Sequence, residues 1–436
     1  MKDSLTKKLC EYSKTFLPFH MPGHKRNFSN SLIPYEIDIT EVDGFDNLHE
    51  LNGVLKDTAD LAKSIYSSCA SFPLVNGSTC GILAGIYTLA QDNKKILIAR
   101  NCHKSVYNAA EILALETFYV VPDMYDGGIF GKVSAESVEE QIKKHGIGTV
   151  VVTSPTYDGV ISDIPAIYDV CKKNGVHLLV DCAHGAHIFD LHKECDICVM
   201  SLHKTLPSLT QTAVLNVFSD RVDIDKVKHA LSIFETSSPS YILLASIDEC
   251  LRYVSENMDA FDRFYENLNE FYDKAKKLSN LTVTHFDDLG KIIIFSNDTK
   301  KLKDLLRDEK IEIEMTSENY LLLIATVCDT KETLDALLDA LFKIDKKTDG
   351  AYKGKKTDIP AVKKATEIGQ ALKEKSSLLD ISDCCNKVSQ EYIFAYPPGS
   401  PIVVPGEVIT KEVIDYLKKK NDLKSTKGKY PKINVL

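Results

Sequence analysis

Two short apolar runs, each ending in a chemically special side chain, constrain this chain more than any other feature. Residues 178–207 read LLVDCAHGAHIFDLHKECDICVMSLHKTLP; one run ends at Asp181, and a second, 197–200, ends at Ser201, Leu202, His203 and Lys204. Short apolar runs bounded by polar residues read as buried strands of a parallel sheet, in which polar groups gather at the carboxyl ends. Asp181 and Lys204 are therefore expected to project from neighbouring strand ends into one crevice.

An aspartate and a lysine placed this way suit pyridoxal 5'-phosphate. The lysine can form a Schiff base with the aldehyde, and the carboxylate can keep the pyridine nitrogen protonated, which makes the ring an electron sink. The same two residues also suit a structural ion pair, so the rest of the chain has to decide. Residues 95–99 and 149–153 are two further strand candidates, followed by His103 and by the run SPTYDG at 154–159. His103 can stack on a flat ring or cap the helix predicted over 105–115. Gly77, Ser78 and Thr79 precede a small, apolar helix over 81–90. Free backbone N–H groups, two hydroxyls and the positive end of the helix dipole make that turn either a phosphate site or an ordinary cap. Polar groups at four strand exits, with helices between most of them, predict a doubly wound α/β domain with a mainly parallel sheet and its ligand at the carboxyl ends.

A chain of 436 residues is long enough for several domains. After a strand over 212–218 and a helix over 242–254, a long charged helix over 259–278 is expected to lead into a smaller α+β domain. Strands near 281–285, 291–295, 311–315 and 321–326 and a helix over 331–344 make up that domain. A polar linker, 346–357, precedes a helix over 361–374 and the Pro/Gly-rich run YPPGSPIVVPGE at 396–407. The expected division is an arm over 1–30, a large domain over 31–258, a small α+β domain over 259–346 and a C-terminal domain over 347–436.

The formal net charge is −9, and no basic block would follow a nucleic-acid backbone, so no nucleic-acid partner is expected. No apolar run spans a bilayer and the start lacks a signal-peptide core, so no membrane partner is expected and the location is read as cytoplasmic. Twelve scattered cysteines read as reduced thiols. Cys195 and Cys198 have CxxC spacing, with His187 and His192 nearby, but no second pair exists and no metal is expected. The acidic stretch 38–50 reads as a soluble connection.

Nine blocks, in order, resemble the Orn/Lys/Arg decarboxylase family of fold-type I, pyridoxal-phosphate-dependent enzymes: FHMPGHK, DITEVDGFDNLHE, NGST, NCHKS, SPTYDGV, VDCAHGAH, SLHKTLP, TSSPSY and YPPGSPIVVPGE. The length resembles the short members without an N-terminal wing domain. The resemblance implies an aspartate-aminotransferase-like large domain, with Lys204 as the Schiff-base lysine and Asp181 at the pyridine nitrogen. Ala183 would lie under the ring and His103 over it. Gly77, Ser78 and Thr79, with Ser201 and His203, would hold the phosphate, and Ser237 and Ser238 would reach it from a partner subunit, implying at least a homodimer. His184 would lie near the substrate carboxylate or the ring oxygen. Glu407 and Asp43 are the candidates for the distal cation of a basic amino acid. Cys182 departs from the family, where the residue after the ring aspartate is often acidic. The implied reaction is decarboxylation of arginine, lysine or ornithine. The cofactor constellation alone leaves transamination, aldol cleavage or binding without catalysis open.

Overall fold

The computed structural model describes residues 4–15, 21–22, 25, 34–191, 193–348, 350–354, 360–395, 399–419 and 423–436. Half of the arm over 1–30, His192, part of the linker and the YPP of the 396–407 run lie outside them. The chain divides into two compact units, each discontinuous in sequence: residues 1–89 with 177–262, and residues 90–176 with 263–436.

In the first unit, four strands run in the order Ala70–Leu74, Ala213–Val217, Ile197–Ser201, His177–Asp181. The first two pairings are antiparallel, and His177–Asp181 runs parallel to Ile197–Ser201. Every residue of Ile197–Ser201 is buried, as an uninterrupted apolar run requires. The helix Gly77–Leu89 packs tightly on these strands. A Cβ at Gly81 would lie 2.7 Å from Leu74 Cδ1, and one at Gly85 would lie 2.5 Å from Leu179 Cδ1. Those two glycines fix how closely the helix, and therefore its first turn, approaches the sheet.

The acidic stretch does more than connect. The buried Asp46 carboxylate accepts N–H bonds from Asn52, Gly53, Val54, Leu55 and Lys56 at 2.6 to 3.3 Å, and so caps the helix Val54–Tyr66. The Tyr241 hydroxyl donates to the Asp46 carbonyl, pinning the loop to the helix Tyr241–Glu256.

In the second unit, Thr149–Thr153, Lys95–Ala99 and Glu116–Val120 lie side by side, all parallel. An antiparallel sheet of Thr282–Thr284, Lys291–Phe295, Tyr320–Ile324 and Met315–Thr316 shares an apolar core with the helices Thr299–Asp308 and Lys331–Asp345. A separate core including Ile393, Val403, Ile409, Val413 and Ile433 holds the C-terminal part together.

One expected helix is absent. Within 361–374, Lys363–Lys364 forms a strand against Val408 and Glu407, and only Ile368–Ala371 is helical. Tertiary contacts override the local pattern here. Lys364 Nζ reaches the Thr117 carbonyl at 2.6 Å and Glu367 at 2.5 Å, and Glu367 accepts from the Thr117 N–H and hydroxyl at 3.1 Å each. Several strands were not expected from the sequence, among them Ala70–Leu74, Glu116–Val120, Ser377–Asp380, Leu423–Ser425 and Lys432–Val435.

Candidate active site

The two ends of the opening stretch meet in the first unit. Asp181 ends its strand directly beside Val199, and the neighbouring strand runs on through Ser201 into the short helix Leu202–Thr205, which carries Lys204. Lys204 Nζ lies 3.0 Å from His184 Nε2. The turn closed by Gly185 N–H donating to the Cys182 carbonyl at 2.9 Å presents His184, which is 5% exposed. With Lys204 as donor, His184 accepts through Nε2 and carries its proton on Nδ1.

Asp181 is 3% exposed, and its Oδ1 accepts from Ala183 N–H at 3.1 Å. Burial pushes its carboxyl up, opposed by the Lys204 charge and the Ala183 N–H. A carboxylate enclosed in this way gains most from a cation brought against it. His203 Nδ1 faces the Thr212 carbonyl at 2.9 Å, and burial pushes its imidazole down, towards the neutral form.

Ser201 also ties the strand end to the Gly-Ser-Thr turn, for its Oγ lies 2.7 Å from Ser78 Oγ. Gly77 takes φ +73°, a left-handed conformation that glycine adopts without strain, and the helix Gly77–Leu89 starts there. First-turn N–H groups, the hydroxyl pair and the exposed Thr79 form one anion-ready surface. Ser237 and Ser238 are exposed in the segment before the helix Tyr241–Glu256, and Asp43 sits exposed in a turn.

The second unit holds His103 and Glu407. His103 caps the helix Lys104–Ile112: its Nδ1 accepts from Ser105 N–H at 3.3 Å and lies 3.0 Å from Ser105 Oγ. Glu407 is already partnered. Its Oε2 accepts from Arg100 Nη2 at 2.8 Å and from Val404 N–H at 2.7 Å, with the side chains of Arg100 and Glu407 8% and 1% exposed. Burial pushes the Glu407 carboxyl up against the pull of Arg100. Arg100 also donates to the Ile402 carbonyl at 2.9 Å and lies 4.9 Å over the Tyr119 ring. Asp158, in the SPTYDG run, accepts from the Tyr320 hydroxyl at 2.7 Å, and burial raises its carboxyl to about 6.

Sequence reasoning missed Arg100, Gln211 and Glu235 because each acts on a segment distant in sequence, and it missed Asp46 because that carboxylate caps its helix from outside the usual cap position, 6 to 10 residues ahead of the N–H groups it accepts from. Among the described residues no group of His, Cys, Asp and Glu could hold a metal ion. Cys182, Cys195 and Cys198 are buried, and burial raises the Cys182 and Cys198 thiols well above their usual range.

The donor set fits pyridoxal 5'-phosphate. A lysine amine, a buried carboxylate and a hydroxyl-bearing helix N-terminus occur together in the first unit.

Comparison with known proteins agrees. The family described as Orn/Lys/Arg decarboxylase, major domain, matches residues 4–285, and the C-terminal domain of the same family matches residues 347–431. A Bacillus subtilis protein named Uncharacterized protein YaaO is 30% identical, with 93% of this chain and 92% of that protein covered. An arginine decarboxylase of the same organism is 28% identical over 94% of this chain and 91% of its own. The crystal structure of the Francisella novicida lysine decarboxylase LdcF superposes with a TM-score of 0.83 at 19% identity, covering 99% of this chain and 80% of that one. That likeness shows the expected fold-type I architecture.

Proposed function

The chain belongs to the Orn/Lys/Arg decarboxylase family of pyridoxal-phosphate-dependent carboxy-lyases, and from that premise we propose that it decarboxylates a basic L-amino acid, arginine foremost, to the corresponding amine. The observation that carries this reading is Lys204 Nζ held 3.0 Å from His184 Nε2 in the same unit as the buried Asp181. The full-length likeness to an arginine decarboxylase supports arginine ahead of lysine and ornithine.

When bound, pyridoxal 5'-phosphate supplies the electron sink for the bond that breaks at the substrate Cα. Lys204 would hold the aldehyde carbon of the cofactor, and once freed by the substrate α-amine its ammonium would be the acid that delivers a proton to Cα as CO2 leaves. Asp181 holds a proton on the pyridine nitrogen, and burial strengthens that ion pair. His184 accepts from Lys204 through Nε2, and so directs the amine and keeps it within reach of the substrate carboxylate. Gly77, Ser78, Thr79, Ser201 and His203 hold the phosphate, with Ser237 and Ser238 reaching it from the partner subunit of a homodimer. Ala183, in the first unit, would contact the cofactor ring, and His103, in the second, is the other candidate for that contact. Asp43 and Glu407 are assigned to the distal cation.

The test is a product assay with pyridoxal 5'-phosphate on arginine, lysine and ornithine, reading CO2, amine and keto acid. Equimolar CO2 and amine from one substrate is expected. Keto acid without CO2, or no turnover on all three, overturns the proposal. Asp43→Asn should raise KM for that substrate while leaving kcat nearly unchanged; an unchanged KM removes Asp43 from the site.

A further inference from the structure

Beside the Gly-Ser-Thr turn lies a carboxyl group that the mechanism does not use. Glu235, at the end of the helix Ile224–Phe234, is 7% exposed and accepts from Val75 N–H at 2.8 Å. The Asn76 N–H donates to the same carboxyl. Gln211 Nε2 donates to the Val75 carbonyl at 2.6 Å, so both polar groups of that residue are held. Glu235 and Gln211 thus fix the backbone from which Gly77, Ser78 and Thr79 depart.

Few positive charges face this carboxyl. Cys80, on the helix Gly77–Leu89, carries a thiol raised by burial and by Glu235 itself. His49, Glu50 and Lys228 line a cavity of about 360 Å3 together with Glu235. Lys228 pairs with Asp225 at 3.1 Å, and His49 Nε2 faces the Thr236 carbonyl at 3.1 Å. Burial raises the Glu235 carboxyl to about 7, although both N–H groups favour the ionised form. A cavity of this size admits water, so the group can exchange its proton.

We infer that Glu235 is the positioning residue of the phosphate turn, and that a phosphate ester settling on the turn drives a proton onto it. The inference rests on the phosphate-turn reading of the preceding section. A phosphate dianion on the first helical N–H groups and a carboxylate on the N–H groups just before them repel each other in a poorly screened place. Protonation relieves the repulsion and leaves a carboxyl oxygen to accept from Val75. Phosphate-ester affinity should therefore fall as pH rises above about 7, by at most about tenfold per pH unit.

The test uses the full chain freed of cofactor and two probes without an aldehyde, pyridoxine 5'-phosphate and pyridoxine, which leave Lys204 chemistry aside. Affinities are measured by calorimetry between about pH 6.5 and about pH 8.5. For the wild type, pyridoxine 5'-phosphate should weaken about tenfold or more across that range while pyridoxine does not. Glu235→Gln, whose amide oxygen still accepts from Val75, should bind the ester with that pH dependence gone. Equal pH dependence in wild type and variant overturns the inference and leaves the phosphate turn standing. If pyridoxine 5'-phosphate binds no tighter than pyridoxine at any pH, the phosphate-turn reading fails, and the inference with it. Should the variant not fold, the wild type alone decides, through proton uptake read at about pH 8 in two buffers of different ionisation enthalpy. More uptake with the ester than with pyridoxine supports the inference, and equal uptake overturns it.

Discussion

Glu407→Gln should destabilise the second unit far more than an ordinary surface change. The substitution keeps the volume and an acceptor for Val404 N–H, but it leaves the Arg100 guanidinium, in a side chain 8% exposed, without its counter-charge at 2.8 Å. Stranding one member of a buried ion pair costs about 3–5 kcal/mol. The double variant Arg100→Met with Glu407→Gln removes the stranded charge and should recover part of that loss. A residual deficit remains, because the Ile402 carbonyl loses a donor, worth about 1 kcal/mol, and Tyr119 loses its cation, worth about 0.5–1 kcal/mol. Calorimetric melting of wild type, both single variants and the double variant gives the cycle, with transitions resolved separately because a chain of two units need not melt in one step. For a unit of roughly this size the Glu407→Gln loss corresponds to a fall of roughly 6 to 20 °C in its transition. A loss below about 1 kcal/mol would refute the reasoning, since the pair would then be solvated in solution.

Four further outcomes are expected. Lys204→Ala should abolish the visible absorbance of the bound cofactor together with turnover, and retention of either removes Lys204 from its assigned role. Asp181→Asn should lower kcat roughly 10- to 100-fold, the worth of a charge-assisted hydrogen bond of about 1.5–3 kcal/mol, as read by steady-state kinetics. Asp46→Ala should cost the first unit about 2 kcal/mol or more, because one carboxylate caps five N–H groups; denaturant midpoints check this. Burial raises Asp158 from 3.8 to about 6, so the folded state binds its proton more tightly than the unfolded state does. Wild-type stability should then decline by up to about 3 kcal/mol as pH rises from about 4 to about 6, and Asp158→Asn should lack that decline.

Much of the site was legible before any coordinates. The strand ends at Asp181 and Ser201 and the turn at Gly77 follow from local patterning, which registers where an apolar run stops and which residues punctuate it; that Lys204 sits on a short helix beyond the strand does not. The strand Ala70–Leu74 escaped because Ser71 and Pro73 break the apolar run; it stands at the edge of the sheet, where a proline is tolerated. The helix expected over 361–374 failed for the opposite reason. Lys364 and Glu367 spend their side chains on Thr117, some 250 residues away, and that contact outweighs local propensity. His103 was left between stacking and capping, and in its own unit the imidazole caps.

By itself the sequence determined the chemical vocabulary of this protein: a lysine, a buried aspartate, a hydroxyl-rich turn and a family resemblance through nine ordered blocks. Spacing within 30 residues or so is enough for that, because strand ends and helix caps are local events. Only the tertiary structure decided which charges are neutralised. Glu407 meets Arg100 across 307 positions, and Glu235 meets Val75 across 160. Burial sets the ionisation of both, and burial depends on which distant segments fold over a group, which no local pattern records.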